Sequence, residues 1–394
     1  MRFPMSMAAR AAALSQHPLA PSNHSSNHTA DVSRLLIANT GHILLADFDG
    51  TSFTTALNYS DAGADPSWLA YDGAGRLFAV DEWGTNLRSL SLDLAANTLE
   101  PLAQAQGSSG VVHLEFNPDR TRMVGAAYGN GTIDVWNIEG GGLSLIKTIV
   151  SQPARDTTAD EEPVVSHPHQ SVLDPTGRYF AVNDLGTDTI LVIDSADDAY
   201  DVSNLVPVQP GCGPRHGVFY PAWTAAASLP ATHYMVVCEL SNEVYVFALT
   251  YTEDNLIFTM AQAISTFDPN NPPANATSAA AGEIALSRNS LDLYVSNRLT
   301  ADPTDGIAHY KIADGGVLSF ADEYTSGGQI PRMFSLSTND KTVFVATQNG
   351  TTGVSAFTRR CDGTIAEGPL ATIPMNLFGD PVLTPGPKYI QQIA

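Results

Sequence analysis

Short apolar runs, each closed by Asp, Asn, Gly or Pro, recur along most of the chain. No long stretch shows the ~3.6-residue period of an amphipathic helix, so strands are predicted nearly everywhere and helices are minor. One unit repeats. It reads as an apolar strand, a turn, a second apolar strand ending on a polar residue, another turn and a third strand. The clearest copy is HPHQSVLDPTGRYFAVNDLGTDTILVID, His167 to Asp194. Further copies begin at Asp65, Val111, Gly213, Ala281 and Ile330.

The turn residues Asp72, Asn117, Asp174, Tyr220, Ser287 and Ser337 mark the same point in each copy, roughly 45 to 65 residues apart. That spacing suits a four-stranded propeller blade with insertions. Two pieces are left over: a hairpin at Arg34 to Phe48 and a strand read at Asp380 to Thr384. Joining them in a seventh blade closes the ring and removes its open sheet edges. The fold class is therefore all-β: a seven-bladed β-propeller of four-stranded antiparallel blades, closed by N- and C-terminal strands. Residues 33–394 form it, and residues 1–32 read as a disordered leader or pro-segment.

Register then locates chemistry. Five residues before each marker stand Ser67, Val112, His169, Arg215, Gly282 and Arg332. A proline precedes four of them (Pro66, Pro168, Pro214, Pro331), as befits the first residue of a strand. About ten residues beyond the marker stand Glu82, Asp184, Arg298 and Gln348, with Tyr128 and Glu239 in the same set by motif. The start of one strand lies beside the end of its antiparallel partner. Both sets therefore fall at one mouth of the central channel, while ordinary turns occupy the other end. His216, beside Arg215, is a further candidate for binding. So is Glu283, although its place one residue along the strand predicts that it points away from the channel. Each of these could be a satisfied structural group, but ionisable side chains gathered in a concave site are costly without a use.

Composition narrows the partners. The chain has 19 Lys+Arg against 41 Asp+Glu, a net charge of −22. Such a surface repels nucleic acid and anionic membranes. A small anionic substrate would need a local cluster of arginines. No unbroken apolar run is long enough to span a membrane. The three cysteines, Cys212, Cys238 and Cys361, show no metal spacing and read as buried free thiols, with a Cys212–Cys238 bridge as the alternative. No metal or cofactor is expected. Sequons at Asn23, Asn27, Asn58, Asn130, Asn275 and Asn349, and an Ala-rich start, lean slightly toward secretion rather than the cytoplasm.

The segments HPHQSVLDPTGRYFAVNDLG, GPRHGVF, CELSNEVYVF, AGEIALS…LYVSNR and PRMFSLS…VFVATQ resemble the seven-bladed lactonase family. That family includes 6-phosphogluconolactonases and 3-carboxy-cis,cis-muconate cyclases. The resemblance runs from Ser33 to Pro385, and the insertion between Tyr220 and His233 makes the cyclases the nearer branch. It implies a lactone-forming or lactone-opening enzyme. His169, Arg215, Glu239 and Arg298 would be its catalytic set, although His167 is an alternative to His169. Arg332, Glu82, Asp184, Gln348, His216 and Glu283 would help bind substrate. The segment Phe267 to Ala280 departs from the pattern as an insertion. A 6-phosphogluconolactonase-like hydrolase and a non-catalytic secreted binding propeller are the rival readings; convergence of these residues on one pocket separates enzyme from platform.

Overall fold

The computed structural model describes residues 32–154, 164–221, 229–379 and 385–394. The predicted leader and the strand read at Asp380 to Thr384 lie outside the described residues, apart from Val32. The rest forms seven four-stranded antiparallel sheets. Blade 1 joins the chain ends: Tyr389–Gln392 is its inner strand, followed outward by Ser33–Asn39, His42–Phe48 and Phe53–Ser60. Blades 2 to 7 follow in chain order, with inner strands Leu69–Tyr71, Val111–Phe116, Pro168–Leu173, Pro214–Tyr220, Ala280–Leu286 and Gln329–Leu336. The closing strand thus falls later than the sequence reading put it.

There is no single core. Apolar clusters lie between neighbouring blades, such as Tyr179, Val192, Tyr234 and Phe247 between blades 4 and 5. Leu36, Leu77, Leu90 and Tyr389 fill the gap between blades 1 and 2. A middle strand is therefore buried on both faces and reads as a nearly continuous apolar run, as in YFAVND and TILVID. Each Val, Leu or Phe so buried contributes about 1.5–3 kcal/mol. Outermost strands such as Leu256–Ser265 alternate, because one face meets solvent.

The marker residues close the turns at one end of the channel. Asp174 accepts backbone N–H bonds from Thr176 (2.9 Å), Arg178 (3.0 Å) and Tyr179 (2.7 Å). Asn117, Ser287 and Ser337 cap their hairpins in the same way. The mouth lies at the opposite end of the same strands.

The cysteine expectation is corrected. Cys212 and Cys238 form a disulfide, and Cys361 is free and exposed. The loop before Arg215 and the strand end before Glu239 meet because Pro214–Tyr220 and His233–Cys238 pair as neighbouring antiparallel strands, with Pro214 beside Cys238. Among the described residues no helix is long and apolar enough to cross a membrane.

Candidate active site

A β-bulge opens the inner strands at their predicted functional residue. The ladder passes from Pro168 to Gln170, from Pro214 to His216, from Pro331 to Met333 and from Val111 to His113. His169, Arg215, Arg332 and Val112 are the extra residues. A bulge leaves one residue outside the ladder and re-aims its side chain. Two consecutive residues then face the channel, which strict alternation forbids. The first forms a mouth layer and the second a deeper layer that includes Trp68, His113, His216, Glu283 and Met333.

In blade 6 the ladder skips both Gly282 and Glu283. A Cβ at Gly282 would meet Ser296 Oγ at 2.7 Å and Arg298 Nε at 3.0 Å. Glycine therefore lets Arg298 lie along the backbone, where it donates to the carbonyls of Ala280 (3.2 Å) and Ala281 (3.1 Å). The same bulge turns Glu283 inward, correcting the expectation that it points away.

The mouth layer borders a cavity of about 210 Å³ lined by Glu82, Val112, Tyr128, His169, Leu185, Arg215, Glu239, Arg298 and Arg332. Below it the space shrinks to about 10 Å³ between Trp68, His216, Glu283 and Met333. Glu239 Oε2 is shared by Arg215 Nε (2.9 Å) and Arg298 Nη2 (2.7 Å). Burial favours its neutral form, but the charges of Arg298 and Arg215 outweigh this and hold the carboxyl below the usual glutamate range. Across the cavity Glu82 pairs with Arg332 (3.0 Å) and lies 3.6 Å from Lys388, which also pairs with Asp65. Burial again opposes ionisation of Glu82, and Arg332 and Lys388 overcome it. Four cations thus meet three acids at the mouth of a strongly acidic protein.

His169 sits between these two poles. It is buried, and burial followed by the nearby charge of Arg215 keeps it neutral well below the ordinary histidine range. Its Nδ1 meets His216 Nε2 at 3.1 Å, and His216 Nδ1 meets both Glu283 oxygens at 3.0 Å. His169 Nε2 bonds to no described residue. His167 is placed elsewhere, stacked on Tyr128 at the rim with Nδ1 2.8 Å from the Tyr128 carbonyl.

Two predicted residues do not join the site. Asp184 is fully buried and accepts bonds from Ser151 Oγ, Ser166 Oγ and the backbone N–H groups of His167, Gly186 and Thr187. In the ladder Pro168 pairs with Asp184 as Pro214 pairs with Cys238. The residue equivalent to Glu239 is therefore Leu185, which does line the cavity. A one-residue slip puts a side chain on the other face. Gln348 holds the equivalent position in blade 7, after Thr347, but does not line the cavity. The Phe267 to Ala280 segment also stays out of the lining; its Asn275 N–H and Ser278 Oγ bind the carbonyls of Thr300 and Leu299, just beyond Arg298.

Sequence reasoning missed Lys388. A signal was present: Pro387 precedes it, as prolines precede Ser67, His169, Arg215 and Arg332. Two larger hollows, of about 480 and 520 Å³, lie among the turns of blades 3 and 4 at the other end. They gather no comparable set of His and Arg.

Comparison with known proteins bears on the family and the fold. A protein of Arthroderma benhamiae named Probable 6-phosphogluconolactonase is 29% identical over 322 residues, covering 79% of this chain and 78% of that one. The structure of the periplasmic gluconolactonase of Pseudomonas aeruginosa superposes with a TM-score of 0.76 at 22% identity, covering 92% of this chain and 99% of that one. A protein from Lactobacillus plantarum gives 0.72 at 22% identity, covering 87% and 97%. These two structures show a shared fold. The family model described as Lactonase, 7-bladed beta-propeller matches residues 30–368. By that match the chain belongs to the lactonase family of seven-bladed β-propellers.

Proposed function

We propose that this chain is a lactone hydrolase that opens a small anionic lactone at the channel mouth. The observation that carries the reading is convergence: His169, Arg215, Glu239, Arg298 and Arg332 line one cavity of about 210 Å³. That is smaller than the ~300–1,000 Å³ of drug-sized sites and suits a single-ring metabolite. Ring closure of a muconate, the first reading from the sequence, gives way to ring opening, because the named lactonase relatives support hydrolysis. Cyclisation of a polycarboxylate remains an arm of the test.

Neutral His169 acts as general base through Nε2. It takes a proton from water, and the water oxygen bonds to the lactone carbonyl carbon. The carbonyl electron pair moves to oxygen, where Arg215 or Arg298 stabilises the oxyanion. On collapse the ring C–O bond breaks and the departing alkoxide recovers the proton from His169. Glu239 is a poor base while two guanidinium groups hold its charge, so its role is to position them. Arg332, on the other side, binds the substrate's anionic group, while Lys388 behind it pairs with Asp65 and Glu82.

The test is a substrate panel on the purified full chain: gluconolactone, 6-phosphogluconolactone and a carboxymuconate. Lactone hydrolysis followed by acid release is expected, with His169→Gln and Arg215→Ala each lowering kcat about 100-fold. Turnover of the muconate alone would restore the ring-closure reading. Near-normal rates in both variants would remove the site.

A further inference from the structure

We propose that Glu283, His216 and His169 form a proton relay in which the Glu283 carboxylate, deep in the channel, takes up the charge that the base at the mouth acquires. This rests on the reading of His169 as the base. The geometry is a continuous chain of three groups. Both Glu283 oxygens lie 3.0 Å from His216 Nδ1, and His216 Nε2 lies 3.1 Å from His169 Nδ1. His169 lines the cavity, and its far nitrogen bonds to no described residue. Consecutive channel-facing residues make this possible, since the bulge places Arg215 in the mouth layer and His216 directly below it.

The surroundings explain why a relay is needed. Around these groups stand Arg215 and Glu239 of blade 5, Arg298 of blade 6, Arg332 of blade 7, His113 of blade 3 and Tyr389 of blade 1. The Tyr128 ring also edges His169. Three guanidinium groups disfavour a cationic imidazole. Burial, then Arg215, pushes the proton affinity of His216 well below the ordinary range, as it does for His169. A lone buried imidazole here would be a feeble base. Burial raises the Glu283 carboxyl to about 7, with Arg215 and Arg298 opposing. The deep acid accepts a proton near neutrality where the imidazoles do not.

The step balances without a cation. Water's O–H bond breaks and His169 Nε2–H forms. His169 Nδ1–H breaks and His216 Nε2–H forms. His216 Nδ1–H breaks and the Glu283 O–H forms. Both histidines end neutral in the other tautomer, and Glu283 ends as an acid. Protonation of the leaving alkoxide reverses all three transfers. The groups titrate as one unit. Glu283 and His216 touch no substrate; they are positioning and proton-holding residues.

Two measurements on the full chain test this. In the wild type labelled with ¹⁵N-histidine, and with His169→Gln to assign the signal, His169 is expected to carry its proton on Nδ1 at alkaline pH. On acidification through about 7 it should switch to the neutral Nε2–H form. An imidazolium signature at His169 over that range overturns the relay, and this arm needs no Glu283 variant to fold. In the isosteric Glu283→Gln variant, which can hydrogen-bond His216 but cannot take a proton, the acid limb of kcat/KM should fall by at least about one pH unit and kcat by about tenfold or more. A lowered rate with the limb unmoved makes Glu283 merely structural and overturns the relay, while inactive His169→Gln keeps His169 as base. Full activity in His169→Gln would remove the base reading and the relay together.

Discussion

The strand Asp292–Arg298 carries a buried ionic cluster at each end, and the two are built for different purposes. At the turn end Asp292 accepts His309 Nε2 at 2.8 Å, Lys311 Nζ at 2.6 Å and Arg359 Nη2 at 2.5 Å. Arg359 Nε also donates to Tyr294 Oη at 2.7 Å, and His309 stacks on the Tyr294 ring at 4.8 Å. Gly363 lies against the acid, where a Cβ would stand 2.1 Å from Asp292 Oδ1. The acid is saturated and covered. At the mouth end Arg298 shares the single carboxylate of Glu239 with Arg215, beside a cavity lined by His169, whose Nε2 bonds to no described residue. Both clusters contain buried histidine, arginine and acid. Burial of charge therefore does not mark function here; unspent hydrogen-bonding capacity beside an open space does.

The largest effect that would break this contrast is at Asp292. Asp292→Ala leaves two cations and His309 without their acid, and should lower the unfolding free energy by about 3–5 kcal/mol. Denaturant unfolding measures that loss, while kcat per folded molecule should not change. A selective loss of kcat would mean the turn-end cluster serves catalysis too. Arg332→Ala is next. It removes one anion-binding guanidinium but leaves Glu82 near Lys388, so KM should rise about tenfold or more with kcat little changed. An unchanged KM for every anionic lactone would show that Arg332 is spent on Glu82. The smallest effect sets the baseline. Lys147 and Asp201 pair at 2.7 Å on the surface, with Asp201 77% exposed. Lys147→Ala should change stability by less than about 1 kcal/mol, read as a small shift in Tm.

Much of this was legible in the sequence because it is local. Alternation and turn chemistry placed the strands, and Asp174 or Asn117 closes its hairpin with atoms only a few residues away. Repetition of the unit required a ring, and the prolines before Ser67, His169, Arg215 and Arg332 marked where inner strands begin. The same rule applied at Pro387 would have identified Lys388 and placed the closing strand correctly.

What only the tertiary structure decided turns on single-residue offsets and on neighbours far apart in sequence. Alternation predicts that adjacent residues face opposite ways, so Glu283 was read as pointing outward; a bulge turns it toward His216 on another blade. The count that put Asp184 at the mouth differs by one from the ladder that puts Leu185 there. The sequence left the Cys212–Cys238 bridge as an alternative and put Glu239 and Arg298 at the same mouth, but the closed bridge and the 2.7 Å ion pair depend on exact register and approach. The sequence by itself determined which strands exist and which end of them is chemically rich. The packing of seven blades decided which side chains meet, because a hydrogen bond depends on register and approach within a fraction of an ångström, and a repeat pattern encodes neither.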